Sequence, residues 1–212
     1  MEFEIIVATA LHTKYAQAIS SMIRDASEKR GTGIANRTPE YIALKMQVEH
    51  AVLALLNEEV VGFCYIETWS HHKYVANSGL IVSEEYRHHG LAAKIKKRAF
   101  ELSRKLYPES KLFGITTSLP VMKINSALGY KPVTFSELTD DEAFWKGCLG
   151  CKNHDILTRN EHKMCLCTGM LYEHKEEEIK PLEPKIKRWE KFKVFLQERA
   201  KRINKLNLEN YV

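Results

Sequence analysis

The chain has 212 residues, of which 44% are apolar and 28% are charged, a composition typical of a globular protein with one main domain. The formal net charge is +5, and residues 173–212 contribute +3 because they hold 11 Lys or Arg and 8 Asp or Glu. The rest of the chain is nearly neutral, which argues against the basic surface that nucleic-acid binding needs. We find no apolar run of about 18 residues that would predict a membrane span and no signal-peptide pattern, so we expect a cytoplasmic protein.

The first part of the chain predicts a strand followed by two helices. Residues 3–10 alternate as in a strand, and residues 13–29 place apolar side chains on one helical face. After a Gly-rich loop at 31–37, Thr38 and Pro39 are residue types that cap and open a helix, here of about ten residues. The loop is either a plain connection between helices or part of a substrate site.

The middle of the chain predicts three strands, a long helix, and then a strand, a helix and a strand. Gly129 is placed to end the second of these helices, since glycine commonly follows a helix C-terminus. The order β-α-α-β-β-β-α-β-α-β favours an α+β fold over the strict βα alternation of a dinucleotide-binding fold. The predicted elements are strands at 51–56, 60–69, 74–83 and 112–117, helices at 91–106 and 120–128, and a strand beginning at Tyr130.

The turn before the long helix carries Gly90. Glycine adopts backbone angles that other residues avoid, and the backbone N–H groups of residues 87–92 lie where a helix leaves its first donors unpaired. These donors and the positive end of the helix dipole would suit a pyrophosphate. From these residues alone, a phosphate site and an ordinary strand-to-helix turn are equally supported.

The sequence of this turn, Arg87-His88-His89-Gly90-Leu91-Ala92, follows the fourth predicted strand, and residues 129–133 read Gly-Tyr-Lys-Pro-Val. Together these segments resemble the GNAT superfamily of acyl-CoA N-acyltransferases over about residues 1–140. The resemblance implies a GNAT-like mixed, mostly antiparallel sheet with helices on both faces. It also implies acetyl-CoA or another acyl-CoA as the donor, with its pantetheine arm along the fourth strand, where a strand amide would polarise the acyl carbonyl. The implied CoA-binding residues are Leu80, Ile81, Val82, Arg87, His88, His89, Gly90, Leu91, Ala92 and Asn125.

A narrower resemblance covers residues 112–138. They are similar to a segment of short N-acetylglutamate synthases in which a Leu-Phe pair leads to Thr-Thr, a helix, a Gly-aromatic pair, Pro-Val and Glu-Leu. Arg37-Thr38 matches the same family, whereas the Arg that usually follows the Thr pair is Ser118 here. The resemblance implies glutamate as the acceptor, and the implied substrate-binding residues are Arg37, Thr116, Thr117 and Lys123.

Two catalytic groups that are common in the superfamily are missing. The Glu of the fourth strand corresponds to Ala76, and the Tyr that protonates the leaving thiolate corresponds to Asn125. An amine with a pKa of about 10.4 must still lose a proton before it attacks. The candidate catalytic residues are Glu67, His71 and Asn125, with His72 beside His71. Alternatively, Glu67 is an edge-strand charge, the two histidines form a solvated turn, and positioning with a water chain suffices.

Four of the five cysteines lie in two pairs near the end of the domain, Cys148 with Cys151 and Cys165 with Cys167. A strand at 163–172 would point Cys165 and Cys167 to one face, so the four thiols predict a tetrahedral zinc site. The preceding residues predict a loop beside the acceptor. Alternatively, the cysteines are small buried apolar residues.

The predicted organisation is an acyltransferase domain at 1–172 with its Cys-rich part at 145–172, a linker at 173–184 and an amphipathic basic helix at 185–208. The helix would pack on its own domain or on the second copy of a homodimer. We predict transfer of an acetyl or other short acyl group to the amine of a small molecule, with glutamate in arginine biosynthesis as the leading candidate. The alternatives are a polyamine or protein N-terminus as acceptor, a non-catalytic acyl-CoA sensor, and a zinc-stabilised interaction protein. Neither nucleic acid nor a membrane is an expected partner.

Overall fold

The structure is a computed structural model that describes residues 2–30, 35–174, 189–190 and 192–200. The chain forms two compact units, Met1–His174 and Lys175–Val212. Within the second unit, residues 189–190 and 192–200 are helical. The rest of the predicted linker and C-terminal helix, and residues 31–34 of the Gly-rich loop, lie outside the described residues. No helix in the described part of the chain is long and apolar enough to cross a membrane.

The first unit is built on a seven-stranded sheet with the strand order β1-β2-β3-β4-β5-β7-β6. Only the β4–β5 pair is parallel, and the other five neighbouring pairs are antiparallel. The strands are β1 (Glu4–Val7), β2 (Ala51–Leu56), β3 (Glu59–Trp69), β4 (Tyr74–Val82), β5 (Lys111–Thr116), β6 (Lys131–Val133) and β7 (Thr168–Tyr172). The α-helices are α1 (Ala16–Arg30), α2 (Pro39–Gln47), α3 (Leu91–Leu106), α4 (Leu119–Ala127), α5 (Glu142–Lys146) and α6 (His154–Arg159).

Helices cover both faces of the sheet, which confirms the predicted α+β class. On one face, Ile95 and Ala99 of α3 pack with buried residues of β2, β3 and β4. On the other face, Ile19 of α1 and Ile42 of α2 pack with buried residues of the same strands. The strands carry apolar side chains on both sides because both of their faces are covered.

Local sequence features account for several element boundaries. Helix α2 begins as predicted, since the Thr38 side chain accepts a hydrogen bond from the Tyr41 N–H at 3.3 Å and Pro39 occupies the first turn. Helix α1 is preceded by a 3-10 helix at Ala10–Tyr15, which the helical periodicity did not distinguish. Leu106, which the periodicity of α3 predicts to be buried, is 42% exposed at the last turn.

Strand β4 is irregular where it matters for the site. Its register against β3 shifts between Phe63 and Tyr65, which pair with Ile81 and Ser78. The shift contains Gly79, whose φ of +66° lies in the left-handed region, and a Cβ at Gly79 would lie only 2.6 Å from the Tyr65 ring. Glycine is therefore required at this bulge.

Strands β4 and β5 pair over only three residues each, from Tyr74 with Lys111 to Ala76 with Phe113. Beyond Ala76, β4 continues for six more residues along β3 without pairing with β5. The two parallel strands therefore diverge in the middle of the sheet and leave a cleft between them.

The segment before β7 differs from its prediction. The last strand is Thr168–Tyr172, so Cys165 and Cys167 precede the strand and are not held on one of its faces. The predicted loop contains the short helix α6 and follows α5, whose Trp145 is buried against Phe135. This segment packs on the same part of the sheet as Phe113 and Leu171.

Candidate functional site

The cleft between β4 and β5 opens into a cavity of about 520 Å³. Its described walls come from strands β3, β4 and β5, from helices α1 to α5, from the residues just before α2 and from the segment that follows α5. The lining includes Leu80 and Ile81 of the predicted CoA site, whereas the neighbouring Val82 and residues 87–92 lie outside it. The cavity volume falls in the usual range for a small-molecule site.

The turn at Gly90 has the geometry of an open anion site. Gly90 has a φ of +71° and precedes the first residue of α3. A Cβ placed on it would have no atom within 4 Å, so the space beside the turn is empty of protein. The backbone N–H groups of residues 88–92 have no hydrogen-bond acceptor in the part of the chain that the structure describes. The positive end of the helix dipole of α3 is directed to the same space.

Arg87 differs from its predicted role in this turn. Its backbone N–H donates to the Glu84 carbonyl at 3.3 Å, so the unpaired N–H groups begin at His88 rather than at Arg87. Its guanidinium donates to the Val82 carbonyl at 3.3 Å and lies 3.6 Å from a Glu84 carboxylate oxygen. Arg87 therefore stabilises the turn through these contacts, and the side chains of His88 and His89 are exposed beside it.

Asn125 of α4 lines the cavity and has a buried side-chain oxygen without a hydrogen-bond donor among the described residues. The residue is 1% exposed and lines the cavity. Its Oδ1 has no hydrogen-bond donor among the described residues. Because a buried carbonyl oxygen without a donor costs about 1–3 kcal/mol, the site is better satisfied when a ligand donor reaches it.

A lysine that the sequence analysis did not identify lies at the base of the cleft. Lys96 of α3 is 2% exposed, and its Nζ donates to the Asn77 carbonyl at 3.2 Å. Burial lowers its pKa to about 8. The spacing of Lys96 and Ser103, seven residues apart on α3, puts both on one helical face, and this was the signal available in the sequence.

Asn77 organises a buried polar network at the same point. Its Nδ2 donates to Ser103 Oγ at 2.7 Å, and its Oδ1 accepts from the Tyr130 hydroxyl at 2.9 Å. Ser103 Oγ in turn donates to the Ala99 carbonyl at 2.8 Å. These bonds fix β4, α3 and the start of β6 relative to one another where the strands diverge.

The opposite side of the cavity holds a guanidinium and a carboxylate held in place by two tyrosines. Arg37 Nε donates to the Tyr65 hydroxyl at 2.9 Å, and the Tyr41 hydroxyl donates to Glu67 Oε2 at 2.7 Å. Lys45 forms an ion pair with Glu67. Arg37, Tyr41, Tyr65 and Glu67 all line the cavity.

Burial sets the protonation of these groups. It raises the pKa of Tyr41, with further contributions from Tyr65 and Glu67, and it raises the pKa of Tyr65 against the effect of Arg37. Burial by itself disfavours the charged form of Arg37, but the neighbouring Tyr65, Tyr41 and Glu67 raise its pKa overall. Both tyrosines are thus neutral, and Arg37 carries a positive charge in the cavity.

The model of the acetyltransferase (GNAT) family matches residues 20–117, which run from α1 to the end of β5 and the residue after it. This match covers 98 of the 212 residues, slightly less than half of the chain. No curated protein matches the sequence, whereas many solved structures match the fold.

Three solved structures with the GNAT-like fold illustrate the similarity. N-acetylglutamate synthase from Neisseria gonorrhoeae, in complex with coenzyme A and N-acetyl-glutamate, is 16% identical with a TM-score of 0.60 and covers 82% of this chain and 36% of its own. A Mycobacterium tuberculosis protein in complex with CoA and NLQ is 16% identical with a TM-score of 0.59 and covers 81% and 99%. Diaminobutyrate acetyltransferase from Paenibacillus lautus, in complex with its substrate and coenzyme A, is 8% identical with a TM-score of 0.55 and covers 81% and 95%. The chain thus spans about a third of the first protein, and at these identities the likeness concerns the fold.

In the first unit, the predicted substrate residues separate into two groups. Arg37 and Thr116 line the cavity. Thr117 and Lys123 are exposed and lie outside the cavity lining. Among the predicted catalytic residues, Glu67 and Asn125 line the cavity, whereas His71 is exposed in a turn with a φ of +54° and does not.

The four clustered cysteines do not form the predicted zinc site in the described residues, where no group of three or more His, Cys, Asp or Glu is placed to hold a metal ion. Cys165 and Cys167 lie in irregular backbone before β7, which removes the geometric basis of the prediction. Burial, together with the neighbouring thiols, raises the pKa of Cys148 to about 11 and that of Cys167 to about 12. Cys148, Cys151 and Cys167 line the cavity as neighbouring thiols.

Proposed function

We propose that the chain transfers an acetyl or other short acyl group from acyl-CoA to the amine of a small molecule, with an amino acid such as glutamate as the leading acceptor. The observation that carries the proposal is the cavity between the diverging strands β4 and β5. The cavity borders β4, the same strand that leads to the open turn at Gly90, so one strand connects the anion site to the cavity.

The residues present fit an acyl-CoA. The unpaired N–H groups of residues 88–92 and the empty space beside Gly90 suit a pyrophosphate. The unpaired Oδ1 of Asn125 suits an amide N–H of the pantetheine arm. Leu80 and Ile81 provide the strand wall beside that arm. When bound, acyl-CoA supplies an acyl group activated as a thioester.

The acceptor end favours a substrate with a carboxylate. No carboxylate in the described part of the chain lies within ion-pair distance of the Arg37 guanidinium, although that group lines the cavity. A planar guanidinium binds a carboxylate through two parallel hydrogen bonds. Tyr65 accepts from Nε of this guanidinium and the Asn36 carbonyl accepts from Nη1 at 2.9 Å, which orients the group and leaves the Nη2 N–H groups for a ligand.

The same side of the cavity disfavours a polyamine. Among the described lining residues, Glu67 is the single carboxylate, and it is already paired with Lys45 and hydrogen-bonded by Tyr41. A polycation would require carboxylates that are free to bind it. An amino acid therefore fits the charges of the cavity better than the alternative acceptors.

A non-catalytic acyl-CoA sensor is the second candidate. Ala76, at the position where many GNAT members carry a Glu, is 1% exposed and lines the cavity without a group that can accept a proton. Glu67, which would replace it, has its two oxygens engaged by Lys45 and Tyr41. A sensor would bind CoA tightly and transfer nothing.

Calorimetry and a thiol-release assay separate these functions. We expect CoA to bind, and we expect free thiol to accumulate when acetyl-CoA or succinyl-CoA is combined with one of the twenty amino acids, glutamate first. Tight CoA binding with no turnover across amino acids, polyamines and N-terminal peptides would favour the sensor. Absence of CoA binding would refute both functions.

A further inference from the structure

A buried ammonium group lies where β4 and β5 separate. Ala76 and Phe113 are the last paired residues of the two strands, so Asn77 and Gly114 are the first residues beyond the pairing. Lys96 Nζ donates to the Asn77 carbonyl at 3.2 Å and lies 4.0 Å from the position of a Cβ on Gly114. It is therefore held between the two strands at the point of divergence, and Lys96 lines the cavity.

Packing does not explain the charge at this position. An ammonium has three N–H donors, but among the described residues Lys96 makes one hydrogen bond and has no carboxylate within 4.0 Å. The Tyr130 ring, 5.5 Å from Nζ, compensates part of the charge. Burial of a charge with so few partners is costly, and an apolar side chain of similar length would fill the space at lower cost.

We propose that Lys96 is the acid that protonates the CoA sulfur as the thiol leaves, an inference that rests on the acyl transfer proposed above. The position of the Tyr that gives this proton in many GNAT members is occupied by Asn125, which has no acidic proton. Asn125 of α4 and Lys96 of α3 both line the cavity, and the two helices contact each other on the same face of the sheet, so the ammonium borders the same cavity as Asn125.

The step balances without another reactant. The amine forms a C–N bond with the acyl carbon, and the C–S bond breaks with its electron pair moving to sulfur. Nζ of Lys96 gives its proton to that sulfur, the amine proton passes to water, and Nζ regains a proton from water. The products are an amide and a neutral thiol.

The surroundings of Lys96 match this role. Burial lowers its pKa to about 8, close to that of an alkyl thiol, while Cys64 on β3 acts in the opposite direction. The other groups that face it, Asn77, Ser103 and Tyr130, are neutral, because burial raises the pKa of Tyr130. Proton transfer between groups of similar pKa is efficient.

The first test titrates the thiol of bound CoA by the ultraviolet absorbance of its thiolate. An ammonium within about 4–6 Å lowers the pKa of an acid by about 1–3 units, so we expect bound CoA to ionise at a lower pH than free CoA. The lowering should disappear in Lys96→Met and persist in Lys97→Met, whose side chain is 69% exposed on the same helix. An unshifted thiol in the wild-type protein would overturn the proposal, even if Lys96→Met does not fold.

The second test follows the pH dependence of kcat. An acid is active in its protonated form, so wild-type kcat should fall as pH rises through about 8. Lys96→Met should lose about 10²-fold to 10⁴-fold in kcat and lose that falling limb, with CoA affinity and melting temperature retained. Lys96→Arg keeps the positive charge but cannot release a proton at these pH values, so it should retain the thiol shift and lose kcat.

The outcomes separate this inference from the proposed function. If the protein binds no CoA, the proposed function fails, and the site on which the inference depends fails with it. If the wild-type protein transfers acyl groups and Lys96→Met keeps both its kcat and its falling limb, the function stands and the role of Lys96 is refuted.

Discussion

The substitution Gly90→Ala tests the anion site with the least disturbance of the fold. Gly90 has a φ of +71°, and a Cβ would meet no protein atom within 4 Å. The cost to the free protein is therefore that of placing an L-residue in the left-handed region, roughly 1–2 kcal/mol. The free protein has room for the methyl group, whereas the protein with a phosphate bound at this turn would not.

The expected loss of CoA affinity is larger than the loss of stability. A hydrogen bond from a backbone N–H to a charged phosphate contributes about 1.5–3 kcal/mol, so displacement of one such bond weakens binding about 10-fold to 100-fold. Calorimetry measures the affinities of the variant for CoA and for pantetheine. CoA affinity should fall while pantetheine affinity stays within about twofold, since pantetheine lacks the pyrophosphate.

Two other glycines serve as controls for Gly90→Ala. Gly129 has a φ of +91° and faces the Tyr172 ring, so Gly129→Ala imposes backbone strain away from the cavity lining. Gly150 has open space around it without a left-handed backbone. Neither Gly129→Ala nor Gly150→Ala should change CoA affinity. A folded Gly90→Ala protein with wild-type CoA affinity would refute the anion site.

Three further predictions concern the cavity. Arg37→Met should raise the KM for an amino-acid acceptor about 10-fold to 100-fold, because a charged hydrogen bond to the acceptor is lost. Tyr65→Phe removes only the bond that orients Arg37, so it should change KM less. Equal effects of the two substitutions would count against carboxylate binding. Asn125→Leu should leave the free energy of unfolding unchanged or higher, because Oδ1 has no donor among the described residues. The same substitution should weaken CoA binding about threefold to tenfold. Unaltered CoA affinity would exclude Asn125 from the CoA site. Burial and the neighbouring thiols raise the pKa values of Cys148 and Cys167 to about 11 and about 12. At pH 8 roughly one thiol in a thousand or fewer is therefore ionised. Iodoacetamide should label both cysteines slowly, at rates that rise as the pH approaches 11. Mass spectrometry follows the labelling, and rapid reaction at pH 8 would contradict the raised pKa values.

The sequence predicted the elements whose causes are local. Thr38 and Pro39 determine the start of α2 through a cap and a fixed φ, and Gly90 marks a turn that other residues adopt at a cost. Both signals lie within a few residues of the structure that they produce. The fold class followed from the order of such elements, and the structure confirms it.

The parts that were missed depend on contacts between distant segments. Lys96 appears in the sequence as one of several lysines of α3, and its burial follows only from the approach of Asn77 on β4. The predicted strand at 163–172 began too early because a periodicity of two residues does not indicate where pairing with β5 begins, at Thr168. The prediction that Cys165 and Cys167 point to the same face depended on that strand.

The proposed donor site and the proposed acceptor end differ in how far apart their residues lie in the sequence. The proposed donor site comes mostly from one continuous stretch, residues 80–96, of which Leu80, Ile81 and Lys96 line the cavity. Its glycine and its helix start are therefore neighbours in the sequence. The proposed acceptor end is assembled from α2 and the loop before it, β3, β5 and the segment after α5, which supply single side chains such as Arg37, Glu67 and Thr116. A change of one of these side chains alters the charge of the acceptor end and leaves the strands that form the cleft in place. Under the proposed function, the fold therefore constrains the donor strongly and the acceptor weakly, and the acceptor must be identified from the charges that line the cavity and from direct assay.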